Sequence, residues 1–218
     1  MQYRRFIAII SIFFIFLAGC SGPLTQMSFF TEESYNHNKF TSKDLVRGKI
    51  GFLPAVVPLG HEQFQTSIGN TLAKTFLEYN PDMAIVPPLE GINLINGNNL
   101  TKDFISIIKD YQVTGILDRN ILKEIGKIMG ADYIIQVRLV RFFQDKSSRF
   151  SAFGLRIMET RESSLEMIIQ IWDPKSGLIV WEGMGSATLA SEALRAKNID
   201  FRDITMLLSR KILERLPA

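Results

Sequence analysis

Thiols and imidazoles are scarce: one cysteine, Cys20, and two histidines, His37 and His61, occur in 218 residues. A lone thiol excludes an intramolecular disulfide, so any folded part must stand on its own core. It also excludes a paired-cysteine metal or redox motif. Neither a His-Glu-x-x-His run nor a Gly-x-Ser-x-Gly elbow occurs. Gly126-Lys127 has the wrong glycine spacing for a phosphate-binding loop, and Ile128 follows within a helical pattern. Glu124 and Asp132 fall on a helix surface and at a helix–strand junction. Asn99-Leu100-Thr101 fits a glycosylation sequon, read here as a chance match. The chain therefore reads as a non-enzyme that needs no cofactor and no metal.

Charge of one sign is also in short supply. The formal net charge is +3, and two of those charges are Arg4 and Arg5 at the start of the chain. Loss of that segment would leave +1. No block of five like charges appears, so nucleic acid is not an expected partner. A long hydrophobic run is missing too. Phe6–Phe16 is apolar apart from Ser11, which is short of the ~20 residues of a spanning helix.

What is present at the N-terminus has its own pattern. Arg4-Arg5, the apolar Phe6–Phe16 run and the small residues after it make a secretory signal. It ends in Leu17-Ala18-Gly19-Cys20. This stretch resembles a lipobox, the processing signal of bacterial lipoproteins. The resemblance implies cleavage before Cys20 and modification of that residue with diacylglycerol and a further acyl chain such as palmitate. Two or more acyl chains hold a protein stably on a bilayer, where one does so only marginally. Residues 1–19 are then a signal peptide and 20–47 a lipidated end and flexible tether reaching roughly 30 Å. Residues 48–218 are one α/β domain. Ser21, in place of the aspartate that retains enterobacterial lipoproteins at the inner membrane, implies the periplasmic face of the outer membrane.

Periodicity supplies the domain's elements. Lys49–Val57 is a short apolar run ended by Pro58 and Gly60, which predicts a strand. Phe64, Ile68, Leu72 and Phe76 recur every four residues and predict a helix over about Glu62–Tyr79. Met83–Val86 reads as a second strand and Gly91–Asn99 as a loop. Helices are expected near Thr101–Asp110 and from Asp118, a capping residue, to Gly130, a left-handed terminator. The period then changes to two. Tyr133, Ile135, Val137, Leu139 and Phe143 share one strand face, opposite Gln136 and Arg138. Leu165, Met167, Ile169 and Ile171 share another. Trp172-Asp173-Pro174-Lys175-Ser176-Gly177 turns the chain into a third strand, Leu178–Gly183. Ile204, Leu208, Ile212 and Leu216 mark the last helix. The order β-α-β-α-α-β-β-β-α predicts a mixed sheet of about five strands with helices packed on it.

Two stretches carry a family likeness: Leu122–Leu139, with Gly130-Ala131-Asp132, and Ile168–Gly183, with Asp173-x-x-x-Gly177 and Trp181-Glu182. They resemble the CsgG-like and TolB-N-terminal-like envelope lipoproteins over about Ile50–Leu216. That resemblance implies a non-enzymatic role through protein contacts in envelope assembly or secretion, as scaffold or activator. Two alternatives stand beside it. One is a subunit of an outer-membrane secretion channel, for which Phe142–Ser164 is the candidate membrane hairpin. That segment carries Lys146, Arg149, Arg156, Glu159, Arg161 and Glu162, too many charges for a lipid-facing band. The other is an enzyme acting on envelope glycans, for which no motif is found. Trp172 and Trp181 flank the hairpin turn and are candidate partner-contact residues, with packing at the sheet edge as the plainer role. Arg138 and Arg141 beside Phe142 and Phe143 suggest a face for an acidic partner. The partner's identity and any homo-oligomer stay open.

Overall fold

A computed structural model of the chain describes residues 24–152, 155–193 and 200–218. The signal peptide and Cys20 lie outside the described residues. Six strands form one mixed sheet, in chain order β1 (Leu24–Asn36), β2 (Lys49–Phe52), β3 (Ala84–Val86), β4 (Tyr133–Ala152), β5 (Leu155–Asp173) and β6 (Leu178–Ala193). The helices are α1 (Ser42–Arg47), α2 (Gln65–Tyr79), α3 (Pro88–Gly97), α4 (Thr101–Thr114), α5 (Arg119–Met129) and α6 (Phe201–Leu213). The expected mixed sheet with helices packed on it is what forms. Its spatial order is β1-β6-β5-β4-β2-β3. The helix-linked strands β2, β3 and β4 run parallel. The hairpin-linked β4, β5 and β6 run antiparallel.

The two faces of the sheet carry separate cores. On one, α2 and α6 pack on alternate strand residues, with Phe76, Ile135, Val137, Ile169, Ile171, Leu208 and Ile212 among the buried side chains. On the other, α3, α4 and α5 bury Ile107, Leu122, Ile125, Met129, Ile134 and Trp172. The period-two reading places the residues of β5 and those of β4 up to Leu139 on the correct face because one face must meet α2 and α6. Helix α5 begins at Asp118, whose Oδ1 accepts from the amides of Asn120 and Ile121 at 2.9 and 3.0 Å. It ends at Gly130, with φ 57°.

Three expectations need correction. The segment read as a flexible tether holds β1, paired antiparallel to β6 along Leu24–Asn36, and α1, capped by a reciprocal Thr41–Asp44 box. Its strand pattern is hidden because its side chains stay exposed, so no apolar alternation appears in the sequence. The Gly91–Asn99 loop is mostly α3, started by Pro88 at its first position, where the missing amide costs nothing. Finally, Phe143 does not share the inward face of Val137 and Leu139, although the described residues of Phe142–Ser164 do continue β4 and β5 as a hairpin. A bulge between Leu139 and Arg141 reverses the alternation there, as an extra residue must. Phe142, not Phe143, turns inward, where its ring meets Phe64 and Phe201 at 5.0 and 4.7 Å. Phe143 is exposed.

Candidate interaction surface

The hairpin tryptophans, candidate contact residues by sequence, are both buried. Trp172 is 3% exposed and Trp181 0%. They sit on opposite faces of the sheet, one in each core. Each indole nitrogen finds a partner inside, as buried indoles must. Trp181 Nε1 donates to Glu33 Oε2 at 2.8 Å. Trp172 Nε1 donates to Gln170 Oε1 at 3.2 Å. The polar handle that suits tryptophan to interfaces is used here to pin β1 and β5.

The aspartates of the two motif stretches are also structural. Asp132 Oδ2 accepts from the Lys49 amide at 3.1 Å, which ties the start of β4 to β2. Its Oδ1 pairs with Lys175 at 3.0 Å. The Lys49 amide, then the Lys175 ammonium, hold the Asp132 carboxyl below its ordinary pKa. Asp173 closes the β5–β6 turn by accepting from the Lys175 amide at 2.8 Å and from Ser176 Oγ at 2.7 Å. Gly177 takes φ 74° there, a conformation open mainly to glycine. Asp132, Asp173, Lys175 and Ser176 line a cleft of about 760 Å³ with Phe40, Arg47 and Tyr133. Both of its motif carboxylates are already engaged.

A chain of polar side chains crosses the middle of the sheet on the α4 side. Tyr111 of α4 donates its hydroxyl to Gln170 Oε1 at 2.8 Å. Gln170 Nε2 donates to Glu182 Oε2 at 2.5 Å. Ser34 of β1 donates to Glu182 Oε1 at 2.7 Å. The chain links α4, β5, β6 and β1 in one network. Burial raises the Tyr111 phenol to about 12, with Arg138 opposing and Glu182 reinforcing the shift. The phenol therefore stays a donor at any physiological pH. Sequence reasoning missed these residues because nothing in their spacing links positions 34, 111, 170 and 182.

The surface most open to a partner is the outer edge of β1. The opposite edge strand, β3, is three residues long, a short edge that resists further pairing. Strand β1 has 13 residues, and among the described residues no strand pairs with its outer side. It contains no proline and no lysine, the usual guards of an edge. Phe30 is 56% exposed and Met27, Phe29 and Tyr35 are exposed with it. Only Glu32 and Glu33 carry charge, and Glu33 is held by Trp181 and Asn36. Among the described residues no group of three His, Cys, Asp or Glu side chains converges on a metal-sized site. No described helix is long and apolar enough to cross a membrane.

No protein-family model matches the chain, and no curated protein matches it. Solved structures similar to it include the PelC dodecamer from Paraburkholderia phytofirmans, at 13% identity and TM-score 0.41, covering 88% of this chain and 99% of that one. Lipoprotein GNA1162 from Neisseria meningitidis matches at 12% identity and TM-score 0.44, covering 76% and 96%. The LpoB C-terminal domain from Salmonella enterica matches at 15% identity and TM-score 0.35, covering 67% and 94%. Bacterial lipoproteins are thus among the similar structures. All three TM-scores lie below 0.5, so the site is read from this chain's own residues.

Proposed function

We propose that the chain is a non-enzymatic envelope lipoprotein of the CsgG-like kind, anchored through Cys20 at the periplasmic face of the outer membrane. Its role is that of a scaffold or activator in envelope assembly or secretion, acting through protein contacts. The observation that carries the reading is Leu17-Ala18-Gly19-Cys20 at the end of an apolar run that begins after Arg4-Arg5. The open edge of β1 supports it, because an extended partner segment can add to such an edge through main-chain hydrogen bonds.

Cys20→Ala tests the anchor. The parent should incorporate labelled acyl chains and enter the detergent phase on partitioning, and the variant should do neither. Continued labelling and membrane attachment of the variant would sink the lipoprotein reading.

One observation favours a second reading, a subunit of a secretion channel. Strands β4, β5 and β6 have 20, 19 and 16 residues, more than the ~9–11 that cross a bilayer as a tilted strand. Against it, the far part of the β4–β5 hairpin carries Asp145, Lys146, Arg161 and Glu162, and charge on a lipid-facing strand is costly. Steady ion conductance from the purified lipidated protein in planar bilayers would favour the channel over the scaffold.

A further inference from the structure

A cavity of about 700 Å³ opens beyond the carboxyl end of β2. Its size is that of a small-molecule pocket. Its position follows from the winding of the chain. After Phe52 the chain runs beside β4, with the Val56 amide donating to Val137 O at 2.9 Å and the Leu139 amide to Val56 O at 2.8 Å. It then leaves for α2 on one face of the sheet, while α4 covers the other. The cavity thus lies between α2 and α4 beyond the carboxyl end of β2, the end at which open α/β sheets usually take ligands. Val56, Pro58 and Ile108 give the cavity apolar walls. Gln65, Gln112 and Arg138 give it polar groups.

Arg138 is the feature that a fold alone does not explain. Its Nε is buried and has no hydrogen-bond partner. Three carboxylates on the surrounding elements have other partners. Glu166 pairs with Arg141 at 3.1 Å. Glu182 accepts from Gln170 and Ser34. Glu62, at the cavity rim, accepts from the Gly60 amide at 3.0 Å. Among the described residues, then, no carboxylate pairs with Arg138. A half-buried guanidinium without a counter-charge loses hydration and gains nothing in return. A planar fork of donors is also the group best matched to a carboxylate. Leu59, 95% exposed at the rim, extends the apolar wall outward.

We propose that this cavity binds a carboxylate carried on a short apolar stem, with Arg138 taking the carboxylate and Val56, Pro58, Leu59 and Ile108 the stem. The ligand is a free aliphatic acid or the carboxyl end of a peptide, which share that chemistry.

The test uses the full-length lipidated chain in detergent micelles, methyl-labelled on Ile, Leu and Val. Hexanoate should shift the methyl signals of Val56, Leu59 and Ile108 with millimolar affinity. Hexanamide, of the same shape but uncharged, should not. Arg138→Gln should weaken hexanoate about tenfold, the loss expected when one charged hydrogen bond is removed, and Arg138→Lys, which keeps the charge but loses the fork, should fall between the parent and Arg138→Gln. N-acetylleucine binding more tightly than hexanoate supports the site as one for a peptide end, and the reverse order supports it as one for a free acid. Equal shifts from hexanoate and hexanamide would overturn the proposal, as would parent-like binding by a folded Arg138→Gln protein. Should Arg138→Gln fail to fold, the comparison of acid with amide on the parent and the Arg138→Lys titration still decide it.

Discussion

Truncating Trp181 separates a core residue from a contact residue by magnitude. The side chain is fully buried, lies over Gly183, and belongs to the same core as Ile212 of α6. Replacing a buried tryptophan with alanine removes its transfer free energy and leaves a cavity, together ~3–5 kcal/mol. The variant also strips Glu33 Oε2 of its indole donor, although Asn36 Nδ2 still reaches that oxygen at 3.0 Å. In a domain of this size ~1 kcal/mol moves the melting temperature by roughly 2–4 °C, so Trp181→Ala should lower it by roughly 6–20 °C. Trp181→Phe keeps most of the ring volume and loses the hydrogen bond. It should fall between parent and alanine. Calorimetry or circular dichroism on the full-length protein in detergent reads the shift. A Trp181→Ala protein that melts within about 2 °C of the parent would refute the core assignment. It would return Trp181 to the contact surface suggested by its place beside the turn.

Two further outcomes follow from the same geometry. Ile135→Asp places a charge on the buried face of β4, where Ile135 is 1% exposed, and should cost at least several kcal/mol; a denaturant midpoint close to the parent's would show the strand face to be wrong. Asp132→Asn should flatten the acid side of the stability curve. The folded-state pKa of Asp132 is lowered, so its contribution is complete above the ordinary carboxylate pKa and disappears as pH falls through the lowered value. Parent and variant should converge at low pH and separate by a small amount near neutrality, because the Lys175 pair is exposed and screened. A gap that grows on acidification would contradict that sign.

The legible parts of this chain are those where one face is buried and the other is not. Leu122, Ile125 and Met129 announce α5 because they meet the sheet, and Asp118 and Gly130 mark its ends by local chemistry alone. Ile135, Val137, Ile169 and Ile171 announce the central strands for the same reason. The Leu139–Arg141 bulge was not legible. One unpaired residue leaves no compositional trace, yet it exchanges the faces of Phe142 and Phe143. The tryptophans misled for a related reason. Proximity to a turn suggests exposure, but Glu33 and Gln170, far apart in sequence, supply the partners that let both indoles be buried. In the sequence Arg138 is one of two arginines that suggest a face for an acidic partner. Only the folded chain shows that Arg141 has Glu166 while Arg138 stands at a cavity.

The misreading of β1 has a physical consequence for the anchor. A strand on the sheet edge with solvent on much of both faces has no apolar alternation to display, and its pairing with β6 is made by main-chain groups that any sequence offers. Taken as a tether, residues 20–47 would let the domain wander roughly 30 Å from the bilayer. With β1 beginning at Leu24, only Ser21, Gly22 and Pro23 separate Cys20 from the sheet. Four extended residue steps span at most ~14 Å. A lipid on Cys20 would then hold the Leu24 end of the open edge close to the membrane surface, with Met27, Phe29 and Phe30 following within one strand length. The same short spacing that removes the tether fixes where an added partner strand would have to lie. With the proposed anchor in place it would run along β1, beginning or ending beside the lipid headgroups, and the domain could not turn that edge away without pulling the anchor or unpairing Leu24 from β6.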